Sequence, residues 1–323
     1  APYCTIGGNL ACNAGGPRAV KYGATRDNVL GLRAVAGNGQ SFRCGTRTTK
    51  GSVGYDLTRY LIGSEGTLAL ITEATLKLTP KPSAVRTLRA DYVDVDAAAE
   101  AVARIMAQPV TPCALEFMDD AAVQLAREHG SDIPASVGAL LLIETDGEES
   151  ALASAVAAVS HAARVEGLIE LRAAANVAES ASLWNARKAL SPALRTISPH
   201  KINEDVVVPV SRVPRLIERL RELADEYALP IVSFGHAGNG NLHVNLLPRD
   251  DAERQRAHEC LPKVFKAVIE LEGTLSGEHG IGTAKRDFMA QAIDTGALDL
   301  MRGIKRMFDP EGILNPGKLL PDA

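Results

Sequence analysis

The apolar positions follow different periods in different parts of the chain. Up to about Pro82 helical periodicity is scarce. Val29–Ala36 is an apolar run, "GNGQ" turns, and "SFRC" returns, which predicts a hairpin. "GTLALITEATLKLTP" alternates well enough for a second strand pair, and "PKPSA" marks a boundary. From about Val85 to Ala175 the texture changes. "DAAAEAVARIMAQ" sets Ala98, Val102, Ile105 and Met106 on one helical face. "CALEFMD", "GALLLIETDG" and "GLIELRAAA" read as strands, interleaved with helices in "DDAAVQLAREHG" and the Ala-rich "EESALASAVAAVSHAARVEG". Alternating units of this size predict an α+β sandwich with helices on one face.

Further on, "AESASLWNARKALSPAL" reads as a helix and "EDVVVPV" as a strand. "SRVPRLIERLRELADEYALP" is a helix with Ser211 as N-cap and Pro214 in its first turn. "IVSFGHAGNGNLHVNLLP" is a hairpin, followed by a long helix that contains Pro262, the loop "TLSGEHGIG" and two short helical pieces.

Composition narrows the class. The 323 residues suffice for two domains, and 46% hydrophobic content is that of a soluble globular chain. The net charge of -4 comes without a basic block, so nucleic acid is not an expected partner. No apolar run reaches the roughly 18 residues that span a bilayer. The five cysteines are dispersed without a CxxC pair, which predicts reduced thiols in a cytoplasmic compartment and no iron–sulfur cluster. "APYCTIGGNL" opens without an initiator methionine inside a glycine-rich stretch, so the chain reads as part of a longer protein whose targeting information lies elsewhere.

The candidate chemistry sits in the second hairpin. Alternate residues of a strand share a face, so His243 and Asn245 point one way, and a tight Asn-Gly turn places His236 opposite His243. Two imidazoles on a stiff platform suit a divalent metal, although either one alone could be an ordinary hydrogen-bonded turn residue. "GEHG" offers Glu278 and His279 as sources of a third ligand, one ligating while the other faces substrate. His279 suits a general base. Glu204 and Asp205, at a strand start, are weaker ligand candidates and should be solvated. Arg187 and Ser191 form an i, i+4 pair able to clamp a carboxylate, with Lys201 as a further point charge. Trp184 is expected in the core. "TIGGNLACNAGG" and "GSEGTLALIT" are tight glycine turns that let backbone approach a phosphate or a ring system, but they match neither the Rossmann nor the P-loop pattern.

Together, "IGGNLACNAGG", "YDLTRYLIGSEGTLALIT", "WNARK", "FGHAGNGNLHVN", "SGEHGIG" and "FDPEGILNPGKL" resemble the FAD-linked D-2-hydroxyacid dehydrogenases of the vanillyl-alcohol-oxidase superfamily. That group includes D-lactate dehydrogenases, the glycolate oxidase FAD subunit and D-2-hydroxyglutarate dehydrogenase. The resemblance implies an α+β protein in three parts. Residues 1–82 would be the second half of a VAO/PCMH-type FAD-binding domain, its first, pyrophosphate-binding subdomain absent. Residues 83–303 would be a cap domain of the FAD-linked oxidase C-terminal type, an antiparallel sheet with helices. Residues 304–323 would return to the FAD domain.

It further implies that Thr5, Gly7, Gly8, Asn9, Gly15, Gly16, Gly23, Glu65, Gly66, Ile71 and Asn315 border FAD. His236, His243 and Glu278 would hold a metal, zinc in preference to manganese. Arg187, Ser191, Lys201 and Asn245 would bind substrate, and His279 would be the base. The expected reaction is oxidation of a D-2-hydroxy acid to the 2-oxo acid. Electrons would pass to a separate acceptor, a quinone, cytochrome or flavoprotein, in a cytoplasmic enzyme that can sit at the inner membrane and can form a homodimer. The alternatives are a metal-dependent hydrolase, or a non-catalytic remnant that needs a further N-terminal segment.

Overall fold

The structure is a computed structural model that describes residues 4–322. The chain divides into two compact units. Of the described residues, the first takes 4–16, 22–80 and 275–322, and the second takes 17–21 and 81–274. The sequence reading placed the last crossing at residue 304, whereas the first unit resumes at Leu275.

The first unit carries a three-stranded antiparallel sheet of order β2-β1-β3, with β1 Val29–Ala36, β2 Ser41–Gly45 and β3 Ala69–Leu76. The predicted hairpin is present with Leu32 opposite Cys44. The predicted second strand pair is the single strand β3, which pairs with β1 instead of folding back on itself. The apolar face of this small sheet buries Leu32, Ala34 and Ala69 with Leu10, Leu61, Ile62 and Leu68. Ile304 and Phe308, from the helix Thr295–Phe308, close the cluster. The glycine-rich start holds a short helix, Ile6–Cys12, where the sequence shows little periodicity. Thr5 caps it by accepting from Gly8 N at 3.0 Å.

The second unit is built on seven antiparallel strands: β4 Ala84–Tyr92, β5 Ala114–Met118, β6 Ala139–Gly147, β7 Leu168–Ala173, β8 Ile202–Val207, β9 Ile231–His236 and β10 Asn241–Leu246. Their order is β7-β4-β6-β5-β9-β10-β8. Every residue of β5 is buried, as is nearly every residue of β6, so both faces of the sheet are covered. The expected one-sided sandwich is therefore corrected. The helices Asp120–Glu128 and Val177–Ile197 pack on the face of Met118, Leu140, Leu142, Val232 and Phe234. The helices Val95–Ala107, Glu149–Ala162 and Val213–Glu226 also pack on this sheet. A strand buried on both faces reads as a continuous apolar run, and "GALLLIE" is such a run.

Asp94, Asp119, Asn176 and Asp250 cap four helices by accepting a backbone N–H three residues on. Ser211 does not cap. It lies in a 3₁₀ turn, Val210–Arg212, and the helix starts at Val213 with Pro214 in its first turn. Pro17–Lys21 joins this unit through side chains: Arg18 meets Glu144, and Lys21 Nζ lies 2.5 Å from Asp146 Oδ1. None of the five cysteines is in a disulfide. No helix of the described residues is long and apolar enough to cross a membrane.

Candidate active site

In the second unit, β9 and β10 pair with His236 opposite Asn241 and His243 opposite Phe234. The two imidazoles therefore share a face on a diagonal and do not stand directly opposite, as a tight turn would require. The reason is the connection. Ala237–Asn239 forms a 3₁₀ turn, and Gly240 follows at φ +69°. A Cβ at Gly240 would lie 1.9 Å from the Val208 carbonyl, so only glycine fits there. The ring centroids of His236 and His243 are 5.3 Å apart and the planes nearly perpendicular, at 85°. His243 also lies against the Phe234 ring at 6.0 Å.

His236 is buried, and its Nδ1 is 2.5 Å from Glu116 Oε1. Glu116 faces it across the β5–β9 pairing. The other carboxylate oxygen, Oε2, is 2.9 Å from Arg187 Nη2. The Arg187 guanidinium also stacks over Phe234 at 4.4 Å. Arg187 Nε is buried and has no hydrogen-bond partner among the described residues. A buried donor left this way costs about 1–3 kcal/mol, a penalty that an incoming acceptor removes.

The helix Val177–Ile197 carries Arg187 and Ser191 four residues apart on one side, and Lys201 comes from the segment that enters β8. Lys201 Nζ donates to Ser191 Oγ at 3.2 Å. Burial, and secondarily the charge of Arg195, hold the Lys201 ammonium below the ordinary lysine range. Asn245 is fully buried. Its amide donates to Val232 O and His243 O at 3.1 and 3.0 Å, while its carbonyl oxygen accepts from Asn203. With both donor hydrogens used inside the sheet, Asn245 orders the strand that presents His243 and offers no free donor to substrate. Glu204 and Asp205 are buried on β8, not solvated, with Asp205 opposite His243. Trp184 packs against the core as expected and donates to Glu144.

In the first unit, Glu278 is half-buried and the adjacent His279 exposed, on the loop that follows Leu275. This loop is held by side chains. Glu65 accepts from Ile281 N at 2.6 Å and from Gly282 N at 2.7 Å, and Ser276 Oγ accepts from Gly280 N at 2.9 Å. Buried Lys285 donates to Leu275 O at 2.7 Å. Glu65 itself sits at φ +54°, and its carbonyl accepts from Asn315 Nδ2.

The glycines expected beside a flavin fall into two groups. A Cβ at Gly23 would lie 2.6 Å from Asp27, and one at Gly66 would lie 2.9 Å from Asn315 Nδ2, so protein packing alone explains both. A Cβ at Gly7 or Gly16 would meet nothing within 4 Å. No protein neighbour demands a small residue at Gly7, which leaves room for close approach of another group. Thr5, Gly8, Gly15 and Asn315 are exposed, Asn9 is half-buried beside them, and Ile71 packs at the edge of the small core.

Sequence reasoning missed Glu116 and the anchoring role of Glu65. The signal for Glu116 was present: a single acid inside the apolar run "CALEFM".

Residues 81–319 match the family described as FAD linked oxidases, C-terminal domain, and residues 1–45 match an FAD binding domain family. The chain is 38% identical over 318 residues to a glycolate oxidase subunit GlcD of Bacillus subtilis, covering 98% of this chain and 68% of that protein. It is 36% identical to a D-lactate dehydrogenase of Anaerostipes hadrus, covering 98% of this chain and 69% of the relative. Among solved structures, p-cresol methylhydroxylase with substrate bound superposes with a TM-score of 0.76 at 15% identity, over 98% of this chain and 69% of that one. The chain thus spans about two thirds of these proteins, and the last likeness bears on fold alone.

Proposed function

The chain belongs to the FAD linked oxidases, and from that premise we propose that it serves the oxidation of a D-2-hydroxy acid to the 2-oxo acid, with FAD as cofactor and a divalent metal as electrophile. The observation that carries the reading is the buried sheet face on which His236, His243 and Arg187 stand together around Phe234 and Glu116. Relatives named for glycolate and D-lactate support the substrate class. Both matched families are flavin families, which favours this reading over the hydrolase alternative.

The donor set fits a metal. A histidine ligand usually hands its second ring nitrogen to a carboxylate, and Glu116 takes that place at His236 Nδ1. Nε2 of His236 would then be the ligating nitrogen. The carboxylate of Glu278, on the loop that follows Leu275, is the third ligand of this reading. Two imidazoles and one carboxylate are a zinc-type set with room for a substrate oxygen. The match of residues 1–45 to an FAD binding domain family supports FAD as the cofactor. Bound FAD would supply the hydride acceptor, and a bound ion would supply polarisation of the substrate hydroxyl.

The chain's own residues do the rest. Arg187, through its unpartnered Nε, and Lys201 beside Ser191 hold the carboxylate and so fix which face of Cα is presented. His279 accepts the hydroxyl proton. Electrons leave to a separate acceptor. Zinc as the ion and homodimerisation belong to the same proposal.

Anaerobic mixing of the flavin-loaded protein with D-lactate, glycolate or D-2-hydroxyglutarate tests it. At least one acid should bleach the flavin absorbance, and its L-enantiomer, where there is one, should not. If dithionite bleaches the flavin and none of the acids does, the reading fails.

A further inference from the structure

Glu116 is the one acid in the centre of β5, and its environment is unusual for a carboxylate. It is 1% exposed, between β6 and β9 in the middle of the sheet. An ionised carboxylate in such a place is strongly unfavourable unless paired and hydrogen-bonded. Both oxygens are used, and they are used on different partners. Oε1 holds His236 Nδ1 at 2.5 Å, and Oε2 holds Arg187 Nη2 at 2.9 Å.

The backbone makes this bridge rigid. Glu116 and His236 are direct cross-strand partners, and Met118 pairs with Phe234 on the same face, two residues along. Phe234 in turn lies beneath the Arg187 guanidinium and beside the His243 ring. Arg187 belongs to a different element, the helix Val177–Ile197, so the carboxylate is a tie between sheet and helix.

We propose that Glu116 is a positioning residue that couples two jobs of the site, setting the orientation of the His236 ring for metal and fixing Arg187 for the substrate carboxylate. The inference rests on the metal-assisted reading above and adds a residue to it. Accepting the Nδ1 proton commits His236 to the tautomer whose lone pair is on Nε2, the atom that would ligate a metal. Holding Nη2 fixes the guanidinium, whose buried Nε has no hydrogen-bond partner among the described residues. One carboxylate therefore links the metal's affinity to the substrate's, and neither should change alone.

The test titrates the full chain with Zn²⁺ against a chromophoric chelator and measures KM for the best acid, in wild type, Glu116→Gln and Glu116→Asp. Glu116→Gln should weaken Zn²⁺ binding by on the order of 10- to 100-fold and raise KM several-fold at the same time. Glu116→Asp, which keeps the charge but shortens the reach, should lie between. If the Gln variant melts out, the Asp variant carries the same criterion. A merely structural residue would lower the melting temperature while Zn²⁺ affinity and KM stayed put, and that result overturns the proposal. So does a loss confined to one of the two readouts, because the bridge predicts both. Wild-type protein that takes up no Zn²⁺ sinks the metal reading itself, and Glu116's role with it. That outcome is distinct from wild type and variant binding the ion equally well, which removes Glu116 alone.

Discussion

The hairpin that carries His236 and His243 and the loop that carries Glu278 and His279 solve the same problem by different means. The hairpin is held by backbone. His236 and His243 are fixed by a strand register that β5 on one side and β8 on the other continue. The loop has no ladder. Glu65, Ser276 and Lys285 hold it through side-chain bonds to its backbone. A site on strands is stiff because many bonds would have to break together. A site on a loop is stiff only while a few named side chains stay in place. The difference teaches where single substitutions should be decisive. On the hairpin they should remove a ligand and little else, whereas around the loop they should disorder the chemistry from a distance.

The sharpest way to test this division is His279→Ala. Removing a general base should lower kcat by on the order of 10²- to 10⁴-fold, with bound Zn²⁺ unchanged on elemental analysis. Loss of the metal instead would move His279 into the ligand set and erase the proposed split of roles on the loop.

Glu65→Ala is next in size. It deletes the acceptor of both Ile281 N and Gly282 N. Each bond to a charged acceptor is worth about 1.5–3 kcal/mol, so hydrogen exchange at these two amides should speed up by roughly ten- to a hundredfold. A misplacement of about 1 Å would cost on the order of 100-fold in kcat. Amides of β9 and β10 should exchange as before. Unchanged protection at Ile281 and Gly282 would show that the loop is braced elsewhere and would collapse the contrast with the hairpin.

The same contrast explains what could be read from the chain alone. Periodicity found the regular elements well: the first hairpin strand spans Val29–Ala36 as expected, and "GALLLIETDG" is β6. It found the imidazoles because Gly and Asn around them are a strong turn signal. It misplaced them by two residues of register, since the length of the turn at Ala237–Gly240 decides register and no period encodes it. It put the helices on one face because a buried run such as "ALLLI" looks the same whichever side is covered first. Glu65 and Glu116 act on partners at Ile281, His236 and Arg187, far away in sequence, and such pairings leave no local trace.

The smallest expected effect concerns Lys201, the one member of the proposed carboxylate clamp whose charge can be lost. Burial and Arg195 lower its pKa, so the ammonium gives up its proton at a lower pH than an ordinary lysine, which titrates at about 10.4. The sign follows: the cation fades as pH rises, so KM for the hydroxy acid should climb on the alkaline side earlier than free lysine chemistry would allow. Lys201→Arg keeps the charge across that range, because guanidinium does not titrate there. A partly exposed charge pair is worth about 0.2–1 kcal/mol, so the alkaline rise in KM that the variant removes should be no more than about fivefold. Arg187, held by Glu116 on the rigid sheet face, supplies the pH-independent remainder. Superimposable KM profiles for wild type and Lys201→Arg would take Lys201 out of the clamp and leave the carboxylate to the sheet-anchored guanidinium.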